Sequence, residues 1–127
     1  MNPSFRAWDK LNNEMYVVEQ INFDCGEFES IGYGITNLRE ADKIELMQST
    51  GLCDKEGTEV FEGDILHHQI QTEYTFIVKY DKDKGRWYGD GLSRTYRIEI
   101  AKRFLPYYKV IGNIYENKDL LEVENEN

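Results

Sequence analysis

The chain reads as a mainly β protein organised around a small barrel or sandwich. Three observations carry that reading. After residue 60, about five short runs rich in Val, Ile, Tyr, Phe and Trp recur at spacings of about ten residues, separated by Gly, Asp and Asn. The clearest run, Glu73 to Tyr80, alternates, with Tyr74, Phe76, Val78 and Tyr80 on one side and Thr75, Ile77 and Lys79 on the other. A chain of 127 residues with 40% hydrophobic content and nine Tyr can also supply the core of one ordinary domain.

Taken in order, Phe5 to Asp9 is a short strand that ends in the polar loop Asp9-Lys10-Leu11-Asn12-Asn13. The return run, Met15 to Phe23, is β-branched and aromatic. Period-two spacing puts Met15, Val17, Ile21 and Phe23 on one face, interrupted by Glu19. Asp24-Cys25-Gly26 is a turn, and Gly32 and Gly34 suggest bulges or tight bends. Asn37 to Lys43 is the one helix candidate before the C-terminus, with Asn37 as its cap. Lys43 to Gln48 is a strand, and Asp54-Lys55-Glu56-Gly57 a polar turn.

Phe61-Glu62-Gly63-Asp64-Ile65 concentrates turn chemistry directly before a strand. Gly63 is suited to a positive φ, and Asp64 to bonding nearby backbone amides, with Glu62 solvated. Asp81-Lys82-Asp83-Lys84-Gly85 is a hairpin loop. Arg86-Trp87-Tyr88 returns from it and Gly89-Asp90-Gly91 breaks the strand. Tyr96 to Ile100 and Tyr107 to Tyr115 are the last strands, Asn117 to Leu121 is a capped helical turn, and Glu122 to Asn127 is a mobile acidic tail.

Composition excludes several classes of function. No apolar run approaches the roughly 18 residues of a membrane helix, and Met1 to Arg6 has no secretory apolar region, so the expectation is a cytoplasmic protein. Cys25 and Cys53 lack the spacing of a redox pair or metal clamp and read as free, half-buried thiols. His67 and His68, adjacent on a strand, face opposite ways and do not make a metal site. Asp81-x-Asp83-x-Gly85 begins like a calcium loop, but Gly85 and Leu92 stand where oxygen ligands are needed. Nucleophile motifs and phosphate loops are absent. No catalytic, cofactor-binding or metal-binding residue is therefore assigned, and no cofactor or enzymatic activity is expected.

The net charge of −9 is uneven. Residues 1–78 carry 5 basic and 15 acidic side chains, residues 79–103 carry 8 and 4, and residues 104–127 carry 2 and 5. The acidic whole repels phosphate, while the central stretch interleaves cations with Tyr80, Trp87, Tyr88 and Tyr96. A nucleic-acid-binding barrel would use Lys82, Lys84, Arg86, Trp87 and Arg94, with cations on the backbone and the ring stacked on a base. The competing expectation pairs these cations with acids and puts Trp87 in the core.

Two signatures about sixty positions apart carry a family resemblance. One runs Leu46-Met47-Gln48-Ser49-Thr50-Gly51-Leu52, through Asp54-Lys55-Glu56-Gly57, to Val60-Phe61-Glu62-Gly63-Asp64-Ile65. The other is Val110-Ile111-Gly112-Asn113-Ile114-Tyr115-Glu116-Asn117. With the early Phe5-Arg6-Ala7-Trp8-Asp9, they resemble the YopX family of proteins encoded by bacteriophages and prophages. In place of the Pro-Glu common after the final Asn, this chain has Lys118-Asp119, which loosens the helical turn. The resemblance implies an SH3-like barrel and a phage setting, but no reaction. The expected architecture is a mainly β chain. An N-terminal β-hairpin segment, residues 1–45, packs on an SH3-like barrel, residues 46–127, that ends in a short helical turn. The expected role is non-catalytic binding to a host or phage protein, with nucleic acid the alternative partner. Edge strands and many tyrosines also suggest a homo-oligomer.

Overall fold

The computed structural model describes residues 4–33, 37–92 and 97–121. The proposed strand start at Tyr96, Gly34, the Arg94 contact and the tail Glu122 to Asn127 lie outside these residues. The chain is mainly β and divides into two compact units after Gln48.

The first unit starts with β1 (Phe5–Asp9) and β2 (Glu14–Val18), joined through the polar loop. A second hairpin follows, β3 (Gln20–Asp24) and β4 (Glu27–Tyr33), then β5 (Asn37–Glu40), a 3-10 turn over Ala41–Lys43, and β6 (Ile44–Cys53). β1 lies between β2 and β6, while β3, β4 and β5 form a separate three-stranded sheet. Between β3 and β4 only Cys25 and Gly26 turn the chain, both with positive φ, 53° and 83°. Two left-handed residues make the tight turn whose twist suits paired strands. Ala7, Ile31 and Ile44 are the buried centre of this unit, flanked by Val18, Phe28, Tyr33 and Leu46.

Five expectations are corrected here. Met15 to Phe23 is not one strand: it breaks at Glu19, and its halves join different sheets. Val17 and Phe23, assigned to an inward face, are 76% and 64% exposed. The helix candidate at Asn37 is mostly a strand. Residues 37–40 pair with Tyr33 to Ser30, which satisfies their backbone in a ladder, and only Ala41–Lys43 turns helically. Gly32 sits in regular pairing with Gln20 and Leu38 and marks no bulge. Cys25 and Cys53 are free but exposed, not half-buried.

The second unit contains the later part of β6, β7 (Glu59–Phe61), β8 (Asp64–His68), β9 (Thr75–Asp81), β10 (Arg86–Gly91), β11 (Arg97–Glu99) and β12 (Tyr108–Asn113). 3-10 turns occupy Leu105–Tyr107 and Lys118–Leu121, so the C-terminal helical turn is 3-10 in form. The sheet order β11-β10-β9-β8-β12 returns the last strand to the side of β8, and the sheet curls into half a barrel. Val60, Leu66, Phe76, Val78, Ile100, Leu105 and Tyr108 fill its hollow. β10 continues through Gly89 instead of breaking there. A Cβ on Gly89 would stand 2.9 Å from the Phe76 Cβ and 3.1 Å from Ile98, so the bare backbone is what lets these side chains close over it.

Both signature motifs are turns locked by side chains. Asp64 Oδ2 accepts the Phe61 amide at 2.8 Å, and Gly63 between them has φ 88°. Gly63 N–H donates to the Val78 carbonyl, while its own carbonyl accepts from Ile114. In the second motif the Asn113 Oδ1 accepts the amides of Tyr115 and Glu116, and the Asn113 amide donates to the Asn117 Oδ1. A Cβ on Gly112 would collide with that Asn117 side chain. Gly63→Val therefore forces a left-handed β-branched residue and should destabilise the protein by about 1–3 kcal/mol in urea unfolding. An unchanged midpoint would contradict the account of this turn.

Candidate functional site

Three constellations of polar and aromatic side chains stand out, and only one leaves room for a ligand. The first is a clasp in the N-terminal unit. Asp9, fully buried at the end of β1, accepts the amides of Leu11 and Asn12 on one oxygen. Its other oxygen takes the Asn12 side chain, the Tyr16 hydroxyl at 2.9 Å and the Arg39 Nε at 2.9 Å. Tyr16 stacks on Tyr33 with centroids 3.9 Å apart, and the Arg39 guanidinium lies 5.6 Å from the Tyr33 ring centre. Burial opposes ionisation of Asp9, but the donors from Arg39, Tyr16 and the two amides outweigh it and hold the carboxyl far below the usual carboxylate range. Hydrogen bonding with Tyr33, and then burial, pushes the Tyr16 phenol up. Every oxygen of Asp9 is committed to protein donors, so the clasp holds structure together and has no acceptor left for chemistry.

The second constellation is the outward face of the β9–β10–β11 meander, where the basic stretch lies. Lys79 Nζ is 2.7 Å from Asp90, Arg97 is 3.6 Å from Asp81, and Arg86 is 3.9 Å from Glu99. The Arg97 guanidinium also sits 4.0 Å over the Tyr88 ring. Three cations and three carboxylates thus form a mixed surface. Lys82 and Lys84 are exposed on the hairpin tip, where Asp81 Oδ1 accepts the amides of Asp83 and Lys84. Trp87 is on the opposite face from Arg86. It packs against the hydrophobic core and meets Tyr80 edge-on at 4.9 Å. The structure therefore does not bring Trp87 together with Lys82, Lys84 and Arg86.

The third constellation is an aromatic cleft of about 290 Å³ at the far end of β8, lined by His68, Gln71, Tyr74, Phe76, Ile98, Phe104, Tyr107 and Tyr108. Pairing of β8 with β12 sets Tyr108 opposite His68. The His68 amide donates to the Tyr74 carbonyl at 3.0 Å, and the Gln69 amide to the Tyr107 carbonyl at 2.9 Å. These bonds gather rings from three separate segments. His68 lies parallel to Tyr107 with centroids 6.0 Å apart and edge-on to Tyr108 at 4.9 Å. Tyr107 is 52% exposed and Ile70, in the loop after β8, 75%. His67 turns the other way and bonds the Thr75 hydroxyl through Nδ1 at 2.9 Å. Among the described residues no group of three His, Cys, Asp or Glu is placed to hold a metal ion. Sequence reasoning singled out His68 alone from this cleft. The signal it missed is the dense run Phe104-Leu105-Pro106-Tyr107-Tyr108, whose rings cannot all enter one small core.

Comparison with known proteins places this arrangement. The family model described as YopX protein matches residues 4–122. The crystal structure of protein EF1440 from Enterococcus faecalis is 31% identical and covers 96% of this chain and 99% of its own, with a TM-score of 0.74. Protein yopX from Bacillus subtilis, at 19% identity, covers 96% of this chain and 98% of its own with a TM-score of 0.60, a likeness of fold. No curated protein matches. No helix among the described residues is long and apolar enough to cross a membrane.

Two outcomes follow from these sites. Asp9 and Asp54 both have folded-state pKa values below their ordinary value, so each contributes stability that is present above about pH 4 and lost as pH falls below it. Urea midpoints should decline from pH 5 toward pH 2, and Asp9→Asn should both flatten that decline and cost about 2–4 kcal/mol at neutral pH. A parallel pH profile for the variant would contradict the clasp. Trp87→Ala should destabilise by about 2–4 kcal/mol because the ring covers the core. In the same protein, filter binding of single-stranded DNA should be absent in wild type even at low salt. Tight, Trp87-dependent DNA binding would reverse this assignment.

Proposed function

The chain belongs to the YopX family, and from that premise we propose that it is a phage- or prophage-encoded accessory protein. Its role is to bind another protein in the bacterial cytoplasm, without chemistry of its own. The curled sheet of residues 49–127 is read as an SH3-like barrel whose loops carry the binding surface. The observation that carries the proposal is the cleft beside His68. It is concave, dominated by aromatic rings and open to solvent along Tyr107, while the Trp87 ring elsewhere in the unit packs against the core. Rings held in place by backbone bonds present contact area at low entropic cost, which is the property of binding hot spots.

The pairing of Lys79, Arg86 and Arg97 with carboxylates supports a protein partner over a nucleic acid. Three neutralised cations add little attraction for phosphate, and the net charge of −9 repels it. Affinity capture from bacterial lysate, with and without nuclease, separates the two partners when wild type is compared with Tyr107→Ala. Tyr107 is half exposed, so its removal should leave the melting temperature within a few degrees of wild type. The expected result is a protein retained after nuclease treatment and lost with Tyr107→Ala. Release of the partner by nuclease would move the assignment to nucleic acid.

A further inference from the structure

The hydrogen-bonding character of the cleft narrows its occupant. His68 Nδ1 accepts the backbone amides of Ile70 at 3.1 Å and Gln71 at 2.9 Å. A ring nitrogen that accepts carries no proton, so the neutral imidazole holds its proton on Nε2. Among the described residues, the contacts of His68 are those two bonds and the rings of Tyr74, Tyr107 and Tyr108, which leaves Nε2–H without a protein acceptor. No residue lining the cleft bears a carboxylate, an ammonium or a guanidinium. The cleft thus offers ring faces and a directed donor, with no acceptor-only group, in a volume of about 290 Å³ that suits a few side-chain-sized groups.

We propose that the cleft takes an extended, proline-containing segment of a partner protein, with a pyrrolidine ring against Tyr74 and Tyr107 and a backbone carbonyl accepting from His68 Nε2–H. The inference rests on the reading of this protein as a protein-binding module. Proline has an apolar ring and no amide N–H, so it leaves no donor stranded against the rings, whereas another residue type would desolvate its amide there. Proline-rich segments hold the polyproline conformation with their carbonyls free, and lose little entropy on docking in an aromatic groove. Charge also fits. The uncharged lining matches an uncharged insert, and the net charge of −9 over the whole chain favours basic flanks over acidic ones.

Amide-resolved NMR titration of the full chain tests this. The probe is decaproline with a lysine at each end, set against a Gly-Ser repeat of the same length with the same lysines, and against oligothymidylate. The expected result is a dissociation constant below about 1 mM for the decaproline peptide. Shifts should centre on Gln71, Tyr107 and Tyr108, and the Gly-Ser peptide should bind at least about tenfold more weakly. His68→Asn keeps an acceptor near the place of Nδ1 for the two loop amides and removes the Nε2 donor, and should weaken binding about fivefold or more. His68→Gln, whose amide reaches the place of Nε2, should recover part of that loss. Tyr107→Ala reports on the ring contact independently of the His68 loop. Equal binding of the Gly-Ser peptide would reduce the attraction to charge and overturn the proposal. So would tighter binding of oligothymidylate, or absence of any shift at several millimolar peptide. If that happens while nuclease-resistant, Tyr107-dependent capture persists, the proline assignment alone is wrong. If capture is lost too, the binding-module reading falls with it.

Discussion

A buried carboxylate that accepts backbone amides is the interaction on which both units of this protein depend. A mainly β chain of this size reverses direction many times, and each reversal leaves amide protons outside the ladders. Asp54 meets that need at three places at once. One of its oxygens accepts the amides of Glu56 and Thr58 within its own turn, and the other accepts Val110 from β12, fifty-six positions away. Asp9 plays the same part for the loop after β1 and adds Arg39 from β5. Asp64 and Asn113 complete the set. These four side chains are nearly or wholly buried, yet each is surrounded by donors, which is the condition under which polar burial stabilises.

That economy takes up the polar atoms of several conspicuous residues of this chain. At the Gly63-Asp64 and Gly112-Asn113 steps the Asp64 and Asn113 side chains bond the chain beside them. The acidic and basic side chains of the meander likewise neutralise one another across neighbouring strands. Each exposed pair contributes little to stability, on the order of 1 kcal/mol or less, but together they engage three of the eight cations of the basic stretch. The cleft at the end of β8 gathers aromatic rings and the His68 imidazole N–H.

Alternation and turn chemistry made much of the fold legible. β9 with its two faces, the turn at Asp54 to Gly57, the left-handed Gly63 and the capping role of Asp64 all follow from local preferences of the residues concerned. The break at Glu19 and the extended form of Asn37–Glu40 do not. In both cases a local pattern was overridden by pairing with a neighbouring strand: β2 pairs with β1, while β3 and β5 flank β4 in a different sheet. Gly89 was read as a breaker, though it serves a strand, because the need for a missing Cβ comes from Phe76 and Ile98 across the sheet.

By itself the sequence determined the β class, the places where the backbone must turn, the family motifs and the absence of familiar catalytic patterns. These depend on single residues and their immediate neighbours. Tertiary structure alone decided which side chains share a surface. The register of β9, β10 and β11 decided which carboxylates face Lys79, Arg86 and Arg97. The cleft exists because β8, the loop to Tyr74 and the run Phe104 to Tyr108, up to forty positions apart, are drawn together by pairing of β8 with β12. Contacts between segments that distant depend on strand order, and neither composition nor period encodes it.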